Sequence, residues 1–226
     1  NAGKEERSLG TDTQNFRFTY NVLLKEHTFL MDGYEQYVSA RGQITTLNDL
    51  VFMPFLERLV VAYQSTLDIS ALKECKGIKE LSLVGNQLDN DTIETIGQMT
   101  NITKLNVGWN QISDISNLAS LTKLTSLGIW GNHISDITSV SNFVNLEYLD
   151  FSDNQVSNIT PITNLKQLKQ LWMYSNDIKD ISAITGLNNL EVLMLRNNPI
   201  ENPEEVRSIY PHLTRIDEDL LNLGGN

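Results

Sequence analysis

Three sets of residues in this sequence have the types needed for chemistry. The first is His27, His133, His212 and the single cysteine, Cys75. No two histidines stand at metal-ligand spacing, and no histidine neighbours the cysteine. The sequence also lacks a G-x-S-x-G elbow, a phosphate-binding glycine loop and a dinucleotide fingerprint. These observations predict no catalytic residues, no bound metal and no cofactor. The second set is Asp114, Asp136 and Asp180, with Asn158 in the equivalent slot. Each stands alone in its stretch, whereas calcium needs several converging oxygens, so turn capping is expected. The sequons at Asn90, Asn101 and Asn158 are expected by chance in a chain rich in Asn and Thr. The third set is Trp109, Trp130 and Trp172. Tryptophan suits stacking and desolvated contact rather than bond-breaking.

What positions these residues is an internal repeat. Asn recurs at 86, 110, 132, 154, 176 and 198, one step of 24 followed by steps of 22. Around each lies L-x-L-x-x-N-x-I, as in LNVGWNQI (105–112) and LGIWGNHI (127–134). The two leucines alternate along a short strand and point to one side, into a shared interior. After each Asn a second apolar series runs at spacing three, for example Ile112, Ile115, Leu118, Leu121 and Leu124. That period predicts 3₁₀ turns on the outer wall. Cys75 falls in the slot of Leu121, Phe143, Leu165 and Leu187, so it is expected in the core. The recurrent asparagines are expected to be structural. An amide both donates and accepts, and stacked copies can form a ladder that satisfies the backbone of each bend. The frame reaches back to Leu56, with Gln64 in the Asn position, and to a half-repeat beginning near Gly42.

Composition narrows the partners. The net charge of −11 disfavours a phosphate backbone or an anionic bilayer. No apolar run approaches the ~18 residues of a membrane span. These points predict no nucleic acid, no direct membrane insertion in this segment and, for the chain itself, a monomer. One cysteine excludes an intrachain disulfide. No charged-then-apolar leader opens the chain, and its first residue is Asn, so a processed or tag-derived N-terminus is expected.

The six in-frame copies resemble the 22-residue class of leucine-rich repeats, found in internalins and related bacterial surface proteins and in a eukaryotic phosphatase-regulatory subunit. The resemblance covers roughly residues 42–217. Gly42-Gln43-Ile44-Thr45 with Asp49-Leu50 also looks like the start of a bacterial N-terminal cap. The resemblance implies an α/β solenoid with a curved parallel sheet on the concave face and short helical turns on the convex face. The layout read from the sequence is as follows. Residues 1–13 are disordered or tag-derived. Residues 14–55 form an N-terminal cap with the half-repeat, including a strand over Phe16–Val22 and a helix over Asp32–Arg41. Residues 56–211 hold seven repeats, and 212–226 form a C-terminal cap. A helix over Pro203–Ile209 is expected, with Asn202 as its N-cap.

If the L-x-L leucines point inward, four positions per repeat face the concave side: six, four, two and one residues before the Asn. All three tryptophans fall there, which scattering would produce in only about 0.2% of cases under the alternation rule. Tyr63, Tyr148, Tyr174 and Met194 join them. The register sets Trp172 beside Asp150 and Met194, and Tyr174 beside Arg196 within cation–π reach. Trp109 and Trp130 become diagonal neighbours, with Gly108 and Gly131 leaving room, and Asp153 adds a second acid to Asp150. The expected partner site is therefore Tyr63, Trp109, Trp130, Tyr148, Asp150, Asp153, Trp172, Tyr174, Met194 and Arg196. Internalins grip host surface proteins with this face, so the resemblance implies a protein partner and a bacterial extracellular or surface location. The alternative is a cytoplasmic regulatory scaffold of phosphatase-regulator type.

Overall fold

A computed structural model of the chain describes residues 45–53, 56–64, 67–209, 211 and 213–217. The expected strand at 16–22, the helix at 32–41, the disordered 1–13 segment, the Gly42–Ile44 cap start, His27 and His212 lie outside the described residues.

Among the described residues, eight strands of two or three residues form one parallel sheet in strict sequence order. They are β1 (Arg58–Val60), β2 (Glu80–Ser82), β3 (Lys104–Asn106), β4 (Ser126–Gly128), β5 (Tyr148–Asp150), β6 (Gln170–Trp172), β7 (Val192–Met194) and β8 (Arg215–Ile216). The register follows the repeat: Leu59, Leu81, Leu105, Leu127, Leu149, Leu171 and Leu193 lie side by side, and Ile216 ends the row. Each of the seven leucines is buried. A single repeat would leave that row in water, so burial requires the stack. Completely burying one such side chain stabilises by about 1.5–3 kcal/mol.

The outer wall consists of 3₁₀ turns, including Ser70–Glu74, Ser116–Ser120, Thr138–Asn142, Thr160–Ile162 and Ser182–Ile184. Each carries its spacing-three apolar residues inward, as Leu118 and Val140 show. The exception lies in the longer 78–101 unit. There α1 (Asn90–Gly97) replaces a 3₁₀ turn, and Asp89 caps it by accepting the Thr92 N–H. The two extra residues make room for a full helical turn, a feature the spacing did not reveal. The C-terminal helix also differs from expectation. Pro203–Ser208 is 3₁₀, and the Asn202 side chain does not cap it. That amide instead accepts the Ile181 N–H (3.0 Å) and donates to Asp180 (2.8 Å), binding the preceding repeat.

At every bend the recurrent Asn ties two repeats together. Asn132 Nδ2 donates to Val107 O of the previous repeat (3.1 Å) and to Ile129 O and Trp130 O of its own (3.0 and 3.1 Å). Its Oδ1 accepts the Ile112 N–H (3.0 Å). Asn154, Asn176 and Asn198 repeat this pattern. Asn110 Oδ1 accepts two N–H groups, from Asn86 and Leu88. Asn86 accepts the Gln64 N–H and donates to Val61 O. The amides thus serve backbone groups that the bends would otherwise leave buried and unpaired. At the far end the Asp217 carboxylate accepts the Leu195 and Arg196 N–H groups, standing where preceding repeats use a backbone carbonyl, as Met173 N–H does with Met194 O.

Outside the bends, Asp114, Asp136, Asp180 and Asn158 each accept the N–H two residues ahead, at 2.7–3.0 Å. The Thr138 hydroxyl, with its N–H, holds the exposed Asp136 carboxyl below its ordinary value, and the Ser182 N–H does the same for Asp180. Among the described residues no group of His, Cys, Asp and Glu side chains is placed to hold a metal ion. Cys75 is only half-buried at the core edge, where its thiol donates to Ala71 O, and burial pushes its pKa up. No described helix is long and apolar enough to cross a membrane.

Candidate recognition face

The concave face is built from the residues between and beside the inward leucines. Its geometry starts at the residue just before each Asn. All seven occupants have left-handed backbone: Tyr63, Gly85, Trp109, Gly131, Asp153, Ser175 and Asn197, with φ between 52° and 70°. The chain must turn here to swing the Asn inward. Gly, Asn and Asp adopt this conformation readily, whereas a bulky side chain in it is an outlier. Tyr63 and Trp109 therefore occupy positions that the turn chemistry disfavours. Bulky residues persist in such conformations only when their surroundings hold them there, and such strain concentrates at functional sites.

The glycines show how the rings are accommodated. A Cβ on Gly131 would fall 2.1 Å from the Trp109 ring, and one on Gly108 would fall 2.4 Å from the Trp130 ring. Trp109 therefore leans forward over the next repeat and Trp130 leans back over the previous one. Their rings meet at 5.6 Å, tilted by 58°, a favoured aromatic geometry. A Cβ on Gly85 would likewise strike the Tyr63 ring at 2.7 Å. Even so packed, Trp109 keeps 57% of its surface exposed.

The C-terminal part of the face has a different character. Asp150 pairs in register with Trp172, and Trp172 with Met194. The Arg196 guanidinium lies 5.2 Å over the Tyr174 ring, and Arg215 lies 5.3 Å over Trp172. Arg215 was not among the residues expected here, because the repeat pattern fades before β8. Two expected surface residues differ from the reading above: Asp150 is only 8% exposed and Met194 only 5%. Pointing to the concave side does not guarantee contact with water when large rings stand on both sides. Trp130, Tyr148, Trp172, Tyr174 and Tyr63 are themselves part-buried, whereas Asp153 and Arg196 are exposed.

Asp150 is the electrostatic oddity of the face. Its carboxylate accepts the Ser152 N–H (3.0 Å) and the Tyr148 hydroxyl (3.2 Å). Burial nevertheless pushes its pKa up, and the nearby Asp153 carboxylate adds to the rise. Among the described residues it makes no ion pair. The buried Ser152 hydroxyl lies against Asp150 and Tyr174 without closing a hydrogen bond of good geometry. The Trp172 indole N–H is also buried without an acceptor.

Comparison with known proteins agrees with this architecture. The leucine-rich-repeat family model matches twice, at residues 100–142 and 144–186. No curated protein matches the sequence. The structure of internalin C2 from Listeria monocytogenes superposes with a TM-score of 0.72 at 30% identity, covering 77% of this chain and 78% of that one. The chain belongs to the internalin-like leucine-rich-repeat proteins. A second Listeria monocytogenes internalin, inlF, gives a TM-score of 0.71 at 32% identity over 76% of this chain. The internalin-like chain spans about half the length of that structure (50%). A leucine-rich-repeat protein of Leptospira interrogans shares the fold at 20% identity and a TM-score of 0.59, over 79% of this chain and 53% of that one. Leucine-rich-repeat domains typically bind proteins and typically carry no enzymatic activity.

Proposed function

We propose that the chain is a non-enzymatic recognition module, borne on a bacterial surface or secreted, that binds a partner protein through its concave aromatic face. The carrying observation is Trp109, a large ring held in left-handed backbone and left mostly in water. A residue kept for stability alone would be Gly, Asn or Asp at that position, as in neighbouring repeats. Exposed tryptophan is unfavourable in water and characteristic of binding hot spots. In this reading Trp109 and Trp130 anchor the partner, Tyr63 extends the surface toward β1, and Trp172, Tyr174 and Arg196 extend it toward β7.

The test is affinity capture from host-cell surfaces with the wild-type domain and a Trp130→Ala/Trp172→Ala variant of matched folding, read by mass spectrometry. A protein retained by wild type and lost by the variant supports the reading. Equal retention by both would move the site to the convex wall or α1.

A further inference from the structure

We propose that the partner of this face inserts an arginine side chain at the β5–β6 part of the sheet, where its guanidinium binds Asp150 and Asp153 and stacks on Trp172 and Tyr174. The proposal rests on the concave-face reading above and names what that face grips.

Four observations support it. First, Asp150 is a nearly buried carboxylate with no ion pair among the described residues. Burying a charge without a counter-charge is strongly unfavourable, and an incoming cation removes that penalty. Second, the exposed Asp153 lies close enough to act on both Asp150 and the Tyr174 phenol. The two carboxylates thus form a rim and a floor of the same sign. Third, the fully buried Ser152 hydroxyl lies against Asp150 and Tyr174 without closing a hydrogen bond of good geometry, so the polar groups under the site are not fully satisfied within the chain.

The fourth observation favours guanidinium. The protein's own Arg215 and Arg196 already lie over Trp172 and Tyr174. They come from β8 and from the turn after β7, the side of β6 away from β5. Asp150 lies on the β5 side, where no described cation approaches. A planar guanidinium can stack on a ring while its edge donates to carboxylates, which a lysine ammonium cannot do. The chain's charge of −11 would also speed the encounter with a basic partner.

The indole N–H resonances of the three tryptophans make the site directly readable. N-acetyl-arginine methylamide is titrated into the chain, with N-acetyl-leucine methylamide as the neutral control. The expected result is a saturable shift of the Trp172 indole signal with the arginine compound only. Asp150→Asn should weaken that binding by at least about tenfold. Asp153→Asn, at the exposed rim, should weaken it several-fold, and it carries the test if the Asp150 variant misfolds. The proposal is overturned if leucine shifts Trp172 equally, if neither compound gives a saturable shift, or if the folded Asp variants bind arginine like wild type. If the capture experiment still loses its partner with Trp130→Ala/Trp172→Ala, only the arginine assignment fails and the concave-face reading stands.

Discussion

The first three strands of the sheet and the next four present different electrostatics on the same scaffold. On β1–β3, the position six residues before the Asn carries Arg58, Glu80 and Lys104. Glu80 bridges both neighbours at 2.9 Å, so each charge has an opposite partner within the row. On β4–β7 the equivalent row is Ser126, Tyr148, Gln170 and Val192, and the nearby Asp150 has no ion pair among the described residues. The strand backbone is the same in both regions, and a ladder of buried amides runs beneath both. The repeat therefore fixes where side chains stand, and the choice of occupant decides whether a row is self-sufficient. A row complete in itself has little to gain from a partner, whereas the β4–β7 rows do.

Substitutions can break or sharpen this contrast. The largest effect is expected from Asn132→Ala, which undercuts both regions. It strands the Ile112 N–H and removes the donor to three carbonyls. Unsatisfied buried groups cost about 1–3 kcal/mol each, so thermal unfolding should move down by roughly 5–10 °C for a chain of this size. A loss below about 2 °C would mean that the ladder is dispensable.

Trp109→Gly should separate stability from binding. Relief of the left-handed conformation offsets the lost ring contact and the added chain freedom, leaving stability within about 1 kcal/mol of wild type. Affinity for a captured partner should fall by about 2 kcal/mol or more, as for a hot-spot residue. A parallel loss of both would reduce Trp109 to surface packing.

Asp150→Asn should raise stability at neutral pH. The Asp150 pKa is higher in the folded chain than in the unfolded one, so the folded state binds its proton more tightly. Wild-type stability contributed by this group is then greatest below the ordinary carboxylate range and falls as pH rises through the elevated folded value. The groups facing it are Tyr148, Ser152 and Asp153, with Tyr174 and its Arg196 beyond. Chemical denaturation at several pH values should show variant and wild type converging in acid and diverging toward neutrality. A constant gap would contradict the assignment.

The smallest change belongs to Glu80→Gln. Its ion pairs are partly exposed, so stability should drop by less than about 1 kcal/mol, and less still in high salt. Partner capture should be unchanged. A marked loss of capture would extend the binding surface to β1–β3 and erase the contrast.

The strands, their register and the inward leucines were legible in the sequence because stacking forces one period on every copy. The Tyr174–Arg196 and Trp109–Trp130 contacts followed from that register. Burial of Asp150 and Met194 did not, since it depends on how far neighbouring rings lean. The left-handed turn was signalled by Gly85, Gly131, Asp153 and Asn197 before four of the six Asn positions, but Tyr63, Trp109 and Ser175 obscured it. α1 was hidden because two added residues have no period of their own. Asp217 was hidden because its carboxylate accepts where a backbone carbonyl would, a role no repeat position marks.

The central claim is tested most directly by hydroxyl-radical footprinting of the chain alone and in complex with a captured partner. The account predicts that Trp109 loses reactivity on binding, while the exposed Phe52 and Val144 keep theirs. Protection of Phe52 or Val144 with Trp109 unchanged would contradict it.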